Sequence, residues 1–461
     1  MAPADTSGEK TRLPETGDDE HQRLLADDFA LERVPLASRR PMRDILWVEL
    51  GIVTGMSEFV LASTLGYGMS FGRAFAAIFI GSAVLTVTGV IMGVAGTWEG
   101  LPSGVLARWS GFGRYGSSII SVIAVVGCTT WFGVQNSICA DAIRRATGGR
   151  VGFPLAAILT GLLLVVIATL GIHWLSRTAS IVVPVFVILV CYGAYRAIAG
   201  TSLATVLHGS PAGPPLSLVT GASMVVGSFI VGSILAPDFT RYCRKGRDAF
   251  WVFTISIFVG QFGLGFAGVV LAQVARTRDV IAIIFAVAGW LGVTVVMLAT
   301  LKLNDANLYA SSLHLANLIQ VLFRRKVNRA LLTILLGAVG IVLSLLGILD
   351  HIVGLLLVLG IAVPPTAGVF IVDYFILRRD REALAATRAT LSLPPDCEAV
   401  NPIAIVAWLA GLVAGTAIHV GVGSVNSIVV SGVLYFALMK LLPMRGRKPV
   451  KYFAADTAGW E

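Results

Sequence analysis

Long apolar runs dominate this sequence and restrict it to one class of fold. Residues 152–171 and 402–421 each run for 20 residues without an Asp, Glu, Lys or Arg. A helix of about 20 apolar residues crosses the hydrocarbon core of a bilayer, and only helices and closed barrels satisfy their backbone groups there. With 56% hydrophobic residues, 13% charged residues and a mean hydropathy of +0.83, the chain is predicted to be an all-α polytopic membrane protein.

The apolar runs predict twelve transmembrane helices between residues 44 and 442. Polar segments flank this domain: 1–43 is predicted to be a disordered tail without a signal peptide, and 443–461 is a second tail. The predicted spans are 44–66, 71–95, 116–143, 152–171, 178–198, 217–236, 249–271, 288–314, 330–348, 351–377, 402–421 and 427–442.

The net charge of +9 follows from where the basic clusters lie. With twelve crossings, 240–247, 323–329, 377–382 and 444–451 fall on the same side as the N-terminal tail. The positive-inside rule makes that side cytoplasmic, so both termini are predicted to be cytoplasmic in a plasma (inner) membrane protein. The charge therefore requires no nucleic-acid partner. The basic cluster 143–150 falls on the opposite side and is an exception to the rule.

The spacing of the spans suggests an internal repeat. A Pro- and Gly-rich loop at 208–217 separates five predicted helices (44–198) from the next five (217–377), with two extra helices in 402–442. An odd number of helices per repeat gives the two copies opposite orientations, as in many secondary transporters. The first helix of each copy is interrupted by Gly and Ser, which predicts an unwound segment facing a substrate. Close helix packing at these glycines is the open alternative.

The segment "GCTTWFGVQNSICAD" (127–141) places polar groups deep in a predicted membrane helix. Trp131 and Gln135 are four residues apart and share a helix face. Together they can stack on a flat heterocycle and hydrogen-bond its edge, whereas a packing or interfacial role for Trp131 is the alternative. Asn136 points elsewhere and is predicted to bond a neighbouring helix. Near the inner end of the sixth helix, Asp238 and Arg241 are predicted to form a structural ion pair.

Four ordered motifs resemble the nucleobase:cation symporter-1 family, especially its bacterial cytosine permeases. They are "TTWFGVQNS" (129–137), "VVGSFIVGSILAPDFTRY" (225–242), "NDANLYASSLHLAN" (304–317) and "VPPTAGVFIVDYFILRR" (363–379). The resemblance implies a LeuT-like five-plus-five inverted repeat with two extra C-terminal helices. It also implies one substrate site between helices 1, 3, 6 and 8.

The resemblance assigns roles to several residues. It implies Trp131 and Phe229 as the two faces of an aromatic sandwich, with Phe229 on the broken part of helix 6. Gln135, Ser228 and free backbone groups would read the edge of the substrate. Cys128 stands where cytosine permeases have a glutamine, and Ala299 replaces an asparagine of helix 8. Both departures disfavour cytosine itself as the substrate.

Two charges lie at unexpected depth. Glu58 falls in the segment of helix 1 that is expected to unwind, where a carboxylate is costly unless it is functional. By hydropathy alone, Lys302 ends an uncharged run at 280–301. By the resemblance, 279–287 is a short outer helix and helix 8 continues to about 314, which places Lys302 and Asn304 in the cation-site region, with Glu58 as the nearby acid that balances Lys302 and takes part in coupling. We favour the second interpretation.

These observations predict a secondary active transporter that imports a nucleobase or related small heterocycle by alternating access. Lys302 and Leu303 replace two sodium-binding hydroxyls of relatives, which favours H⁺ as the coupling ion. A carrier of a cationic or amidine-bearing heterocycle or vitamin precursor, with Glu58 as counter-charge, is the alternative, and a transporter-like receptor is the rival of another class. The sequence holds no nucleophile–base set, metal motif or phosphate loop, so no enzyme, metal or cofactor is predicted. The lipid bilayer is the other expected partner, and no obligate protein partner is evident.

Overall fold

The computed structural model describes residues 29, 32–170, 203–325, 327–442 and 449–451, with isolated positions between 184 and 199. The fifth predicted span (178–198) and most of both predicted tails therefore lie outside the described residues. The same holds for the side chain of Lys302, whose backbone alone is described.

The described part of the chain is almost entirely helical. Its main helices are α1 Met42–Val53, α2 Met56–Gly68, α3 Phe71–Glu99, α4 Ser118–Ala146, α5 Phe153–Leu170, α6 Leu218–Ile234, α7 Ala236–Thr240, α8 Gly246–Ser256, α9 Gly265–Ala275, α10 Val280–Phe323, α11 Arg329–Leu345, α12 Ile352–Ala362, α13 Pro364–Ile371, α14 Pro402–Ala417 and α15 Gly423–Leu441. Two π-helical segments, Ile257–Leu264 and Val372–Leu377, join α8 to α9 and extend α13.

Short elements complete the described fold, some of them on the side where the chain begins, which we call the N-terminal side. An antiparallel pair, β1 Asp396–Glu398 and β2 Pro449–Lys451, lies there. The short helices among the described residues are Leu36–Ser38, Ser103–Leu106, Ala107–Trp109, Gly113–Gly116, Leu203–His208, Ile348–His351 and Arg381–Ala386.

Several helices are suited to a membrane. Within the described residues, five are long and apolar enough to cross a bilayer, or six if the bent pair α1–α2 is one span. Four shorter apolar helices, α5, α6, α11 and α14, accompany them. The twelve crossings and the inverted repeat remain predictions.

The predicted break in the first membrane helix is confirmed. α1 and α2 meet at 49° across Thr54 and Gly55. The Thr54 hydroxyl donates to the carbonyl of Leu50, 2.6 Å away, which caps the end of α1. A Cβ atom on Gly55 would lie 2.5 Å from Cδ2 of Leu303, so the break also allows α10 to approach closely. Glu58 lies in the first turn of α2 and not in the unwound segment, which corrects its predicted position.

The break in the sixth membrane helix lies further along than predicted. α6 stays helical through Ser228 and Phe229 and ends at Ile234, and α7 then starts with Pro237 in its first turn. Proline lacks an N–H and ends the preceding ladder of hydrogen bonds. The glycines before it serve close packing instead, because a Cβ atom on Gly227 would clash with the carbonyl of Leu356.

The eighth membrane helix is also different from the expectation. α10 is one continuous helix of 44 residues, so the short outer helix predicted at 279–287 does not exist as a separate element. Asp279 caps its start by accepting from the backbone N–H of Ala282 at 3.0 Å. At 1.5 Å per residue the helix is about 66 Å long, twice the hydrocarbon thickness. Lys302 therefore lies mid-helix, not at a helix end.

The helices pack in two groups. Helices α1–α3 and α6–α9 pack chiefly against one another, and so do α4, α5, α10 and α11. We call them the first and second helix groups. α12 packs on α6, whereas α13, α14 and α15 form a smaller cluster beside it. The break between α1 and α2 faces the seam between the two groups.

Candidate functional site

A cavity of about 630 Å³, including its opening, lies in the seam between the two helix groups. Six of the eight predicted site residues line it: Glu58, Cys128, Trp131, Gln135, Ser228 and Phe229. Residues that the sequence did not single out for the site also line it, among them Ser57, Gly232, Leu303 and Asn307. The lining is mostly apolar with a few polar groups, which is the usual composition of a small-ligand site.

Two aromatic rings line the cavity from opposite helix groups. Trp131 comes from α4 and Phe229 from α6, and both are more than nine-tenths buried. Gly232, one turn beyond Phe229, leaves room for its ring, because a Cβ atom there would lie 2.6 Å from Cζ of Phe229. The cavity thus offers apolar faces against which a flat ring can stack.

The Gln135 side chain has a hydrogen-bond partner for its amide nitrogen and none for its amide oxygen. Its Nε2 donates to the hydroxyl of Ser57 at 3.1 Å, which joins α4 to α2 across the seam. Its Oε1 is buried and has no hydrogen-bond partner. A buried acceptor without a partner costs about 1–3 kcal/mol, and Oε1 is therefore a suitable group to bind a ligand donor.

Glu58 and Ser228 meet in the wall of the cavity, with Gln261 behind them. The Ser228 hydroxyl lies 3.1 Å from Oε2 of Glu58. Gln261 donates its Nε2 to the same hydroxyl at 2.8 Å from the π-helical segment. Such segments interrupt α-helices frequently at functional sites. These three residues form a polar chain on the first helix group.

The two remaining predicted residues do not form part of the described wall. Asn304 is fully buried, and its Nδ2 faces the carbonyl of Phe132 at 3.5 Å. It also accepts from Nδ2 of Asn307 at 3.4 Å, so it links α10 to α4 behind the cavity. Lys302 belongs to the positions whose side chains the structure does not describe.

Asn136 behaves as predicted and bonds a neighbouring helix. Its Nδ2 donates to the carbonyl of Ala157 at 2.9 Å, and its Oδ1 accepts from the hydroxyl of Thr160 at 2.7 Å. Both partners lie on α5. Asn136 therefore serves packing and leaves the cavity to Gln135.

The cavity extends toward the N-terminal side. Its wall includes Ile52 of α1 and Ala310 of α10, and it reaches Phe239 of α7. Next to that end, Asp238 accepts from both the N–H and the hydroxyl of Ser103, and its Oδ2 lies 3.0 Å from Nε2 of His314. The acid thus bridges α7 to α10 through His314.

Arg241, which the sequence paired with Asp238, lies beside it and contacts its backbone. Its Nε donates to the backbone oxygen of Asp238 at 3.1 Å, and Nη1 donates to the carbonyl of Phe29. The sequence missed His314 as a partner because the bridge joins residues 76 positions apart in the chain.

Some of the missed residues carried a readable signal. Gln261 interrupts the apolar run at 249–271, and polar side chains at such depth are functional candidates by default. Ser57 directly precedes Glu58 at the helix break. Asn307 lies in the motif at 304–317, but the sequence does not indicate which face of α10 it occupies.

A helical membrane protein with two packed helix groups, a broken first helix and a ligand-sized cavity at the break has the architecture of a secondary transporter. The family described as permease for cytosine/purines, uracil, thiamine and allantoin matches residues 45–438. The chain belongs to this family. It is a membrane transporter and not an enzyme.

Curated relatives agree with this membership. The chain is 30% identical over 437 residues to the cytosine permease of Escherichia coli (strain K12), covering 94% of this chain and 99% of that protein. It is 25% identical over 430 residues to the hydantoin permease of Microbacterium maritypicum, covering 87% and 84%.

Solved structures show the fold. The inward-facing conformation of Mhp1 matches with a TM-score of 0.75 at 21% identity, over 90% of this chain and 93% of that one. Mhp1, a nucleobase-cation-symport-1 family transporter, in a closed conformation with bromovinylhydantoin bound matches at 0.73 and 20%, over 89% and 95%. The predicted LeuT-like fold is thereby confirmed at the level of overall architecture.

Proposed function

We propose that this protein is a secondary active transporter that imports a nucleobase or a related small heterocycle by alternating access. The observation that carries the proposal is the cavity at the helix break, where Trp131 and Phe229 supply flat apolar faces and Gln135 and Ser228 supply polar groups. A planar ring with a polar edge complements this combination. The cytosine and hydantoin permeases among the relatives handle small heterocycles of that kind.

Alternating access requires two parts that move relative to each other around the ligand. The two helix groups supply such parts, and Trp131 and Phe229 belong to different groups. The cavity extends toward the N-terminal side, and we infer that this side is cytoplasmic, as its basic clusters favour. The structure then corresponds to a state that opens toward the cytoplasm.

We further propose that protons rather than sodium drive the transport. Sodium requires several oxygen ligands, whereas the side chain nearest to Gly55 at the helix break is the apolar Leu303, and of the two polar atoms beside it, Nε2 of Gln135 and Oγ of Ser57, one is an oxygen. In proteoliposomes, a proton gradient should drive accumulation and a sodium gradient should not. Sodium-driven accumulation would overturn this part of the proposal, and binding without any accumulation would favour a receptor.

The aromatic faces provide the test of the cavity itself. Trp131→Ala and Phe229→Ala should each abolish measurable uptake, because losing one stacking face costs about 1 kcal/mol or more. Trp47→Ala and Phe250→Ala are matched controls, since both rings lie on the surface, 55% and 43% exposed. Uptake of labelled nucleobase, corrected for folded protein in the membrane, is the measurement. Wild-type uptake in both cavity variants would show that the substrate binds elsewhere.

A further inference from the structure

Glu58 is a carboxylate in the cavity wall without a cationic partner among the side chains that the structure describes. It is 4% exposed, and the Ser228 hydroxyl donates to it at 3.1 Å. That hydroxyl has one proton, which the carbonyl of Val225 also attracts from 2.9 Å. The Gln261 side chain also lies within hydrogen-bonding reach of Glu58, so the carboxylate has two neutral donors on one side, whereas an ionised carboxylate can accept about four hydrogen bonds.

The position of Glu58 is nevertheless held. Gln261 donates to Ser228 at 2.8 Å, which occupies an acceptor site of the hydroxyl and turns its proton away from the π-helical segment. The carboxylate thus remains within reach of the cavity that it lines. Gln261 itself does not line the cavity, so it acts through Ser228.

A second free acceptor lies in the same cavity. Oε1 of Gln135 is buried without a partner, while its amide nitrogen is committed to Ser57. The described wall therefore presents acceptors from both helix groups. A ligand that satisfies them must carry N–H donors, because a carbonyl oxygen placed against Glu58 would be repelled and left unpaired.

We infer that Glu58 is a specificity-determining residue that selects heterocycles carrying an exocyclic amino group next to a ring N–H, a guanidine-type edge, over analogues that lack the amino group. This inference rests on the proposed function. Two parallel N–H groups of such an edge match the two oxygens of a carboxylate, as a guanidinium does. A site built to bond an N–H group rejects the analogue without it, because its own polar group is then left unpaired.

The test uses the purified full-length protein and two pairs of probes. Guanine and hypoxanthine differ by one exocyclic amino group next to a ring N–H, and isocytosine and 4-pyrimidinone differ by the same group. We expect the wild type to bind the amino member of each pair at least about tenfold more tightly, which corresponds to about 1.4 kcal/mol. Glu58→Gln should bring both ratios close to one, since an amide presents a donor where the carboxylate accepts.

Glu49→Gln is the matched control. Glu49 is also a buried carboxylate of the broken helix, 1% exposed, but it is absent from the cavity wall. It should keep both ratios. Gln261→Leu should lower the ratios several-fold without touching the ligand, and it keeps the inference testable if Glu58→Gln fails to fold.

The outcomes separate the inference from the proposed function. If the wild type binds none of the four bases and none is taken up, the proposed function is wrong. If it binds them without an amino preference, or if Glu58→Gln keeps the wild-type ratios, the inference is wrong and the transporter proposal stands.

Discussion

Two buried carboxylates, Glu58 and Glu99, differ in how completely the protein satisfies them. Glu58 in the cavity wall has only neutral donors among the described side chains, the Ser228 hydroxyl and the Gln261 amide. Glu99, at the last residue of α3, has a fully buried side chain that accepts from two guanidinium groups and a phenol. Glu99, whose carboxylate oxygens are fully hydrogen-bonded, can have only a structural role, whereas Glu58 keeps acceptor capacity for a ligand.

The donors to Glu99 come from three separate parts of the chain. Arg33 precedes the first helix, Tyr374 lies in the π-helical segment after α13, and Arg388 follows the short helix Arg381–Ala386. The hydrogen bond to Glu99 raises the pKa of Arg388, which lies outside the membrane-spanning segments. Glu99 thus ties the N-terminal segment and the loop after α13 to the end of α3. It has no acceptor capacity left to offer a ligand.

The largest expected effect is the loss of stability in Glu99→Gln, which tests the contrast between the two carboxylates. The amide removes the charge that two buried or half-buried guanidinium groups share, and breaking such a set from one side typically costs about 3–5 kcal/mol. We expect about 3 kcal/mol, because Arg388 is 38% exposed and can turn to water. The unfolding temperature in detergent and the yield of folded protein are the measurements.

Substrate selectivity is the second measurement for Glu99→Gln, and it tests whether Glu99 has any role in ligand binding. The Glu99→Gln protein that folds should keep the wild-type ratio of affinities within each pair of probe bases, since Glu99 lies outside the cavity wall. Unchanged stability, or altered ratios in folded protein, would contradict the structural role of Glu99.

A smaller effect is expected from Gln135→Leu, which sharpens the comparison on the opposite wall of the cavity. The variant keeps the size of the side chain but removes the free Oε1 and the hydrogen bond to Ser57. Substrate affinity should fall by about 1–2 kcal/mol, typical of one lost hydrogen bond to a ligand in a buried site. Isothermal titration measures this loss. Asn136→Leu is a control for polarity at this depth, and it should affect stability more than affinity because its bonds go to α5. An unchanged affinity in Gln135→Leu would mean that Oε1 does not face the substrate.

Much of the fold could be predicted from the sequence because bilayer thickness dictates helix length. The span predicted at 71–95 corresponds to α3, and the break in the first helix followed from its Gly and Ser content. The span predicted at 217–236 also corresponds to α6, but the break expected at its Gly and Ser residues is absent, because the glycines serve packing against α12 and the helix is interrupted at Pro237. Local sequence does not distinguish these two uses of glycine.

The polar networks were harder to predict than the helices, since their partners are distant in the chain. The basic cluster at 143–150 opposed the positive-inside rule, but the structure pairs its arginines with acids. Arg144 and Arg145 both bond Asp141, and Arg145 also reaches Asp279 at 2.6 Å. The donors of Glu99 were hidden from the sequence because they lie 66 and 289 residues away in the chain.

The smallest expected effect concerns the stability of Glu58→Gln, and it has the opposite sign to that of Glu99→Gln. A buried carboxylate whose donors are neutral side chains only destabilises the fold, and natural binding sites commonly retain such costs for function. Replacing it by an amide of the same shape should leave stability unchanged or raise it by up to about 1 kcal/mol. The unfolding temperature without substrate, compared with that of Glu49→Gln, measures the difference. Added guanine or isocytosine should stabilise the wild type more than Glu58→Gln, since a ligand that binds only the folded state raises its stability. A loss of several kcal/mol in substrate-free Glu58→Gln would show that Glu58 is a structural acid like Glu99, held by a partner outside the described side chains.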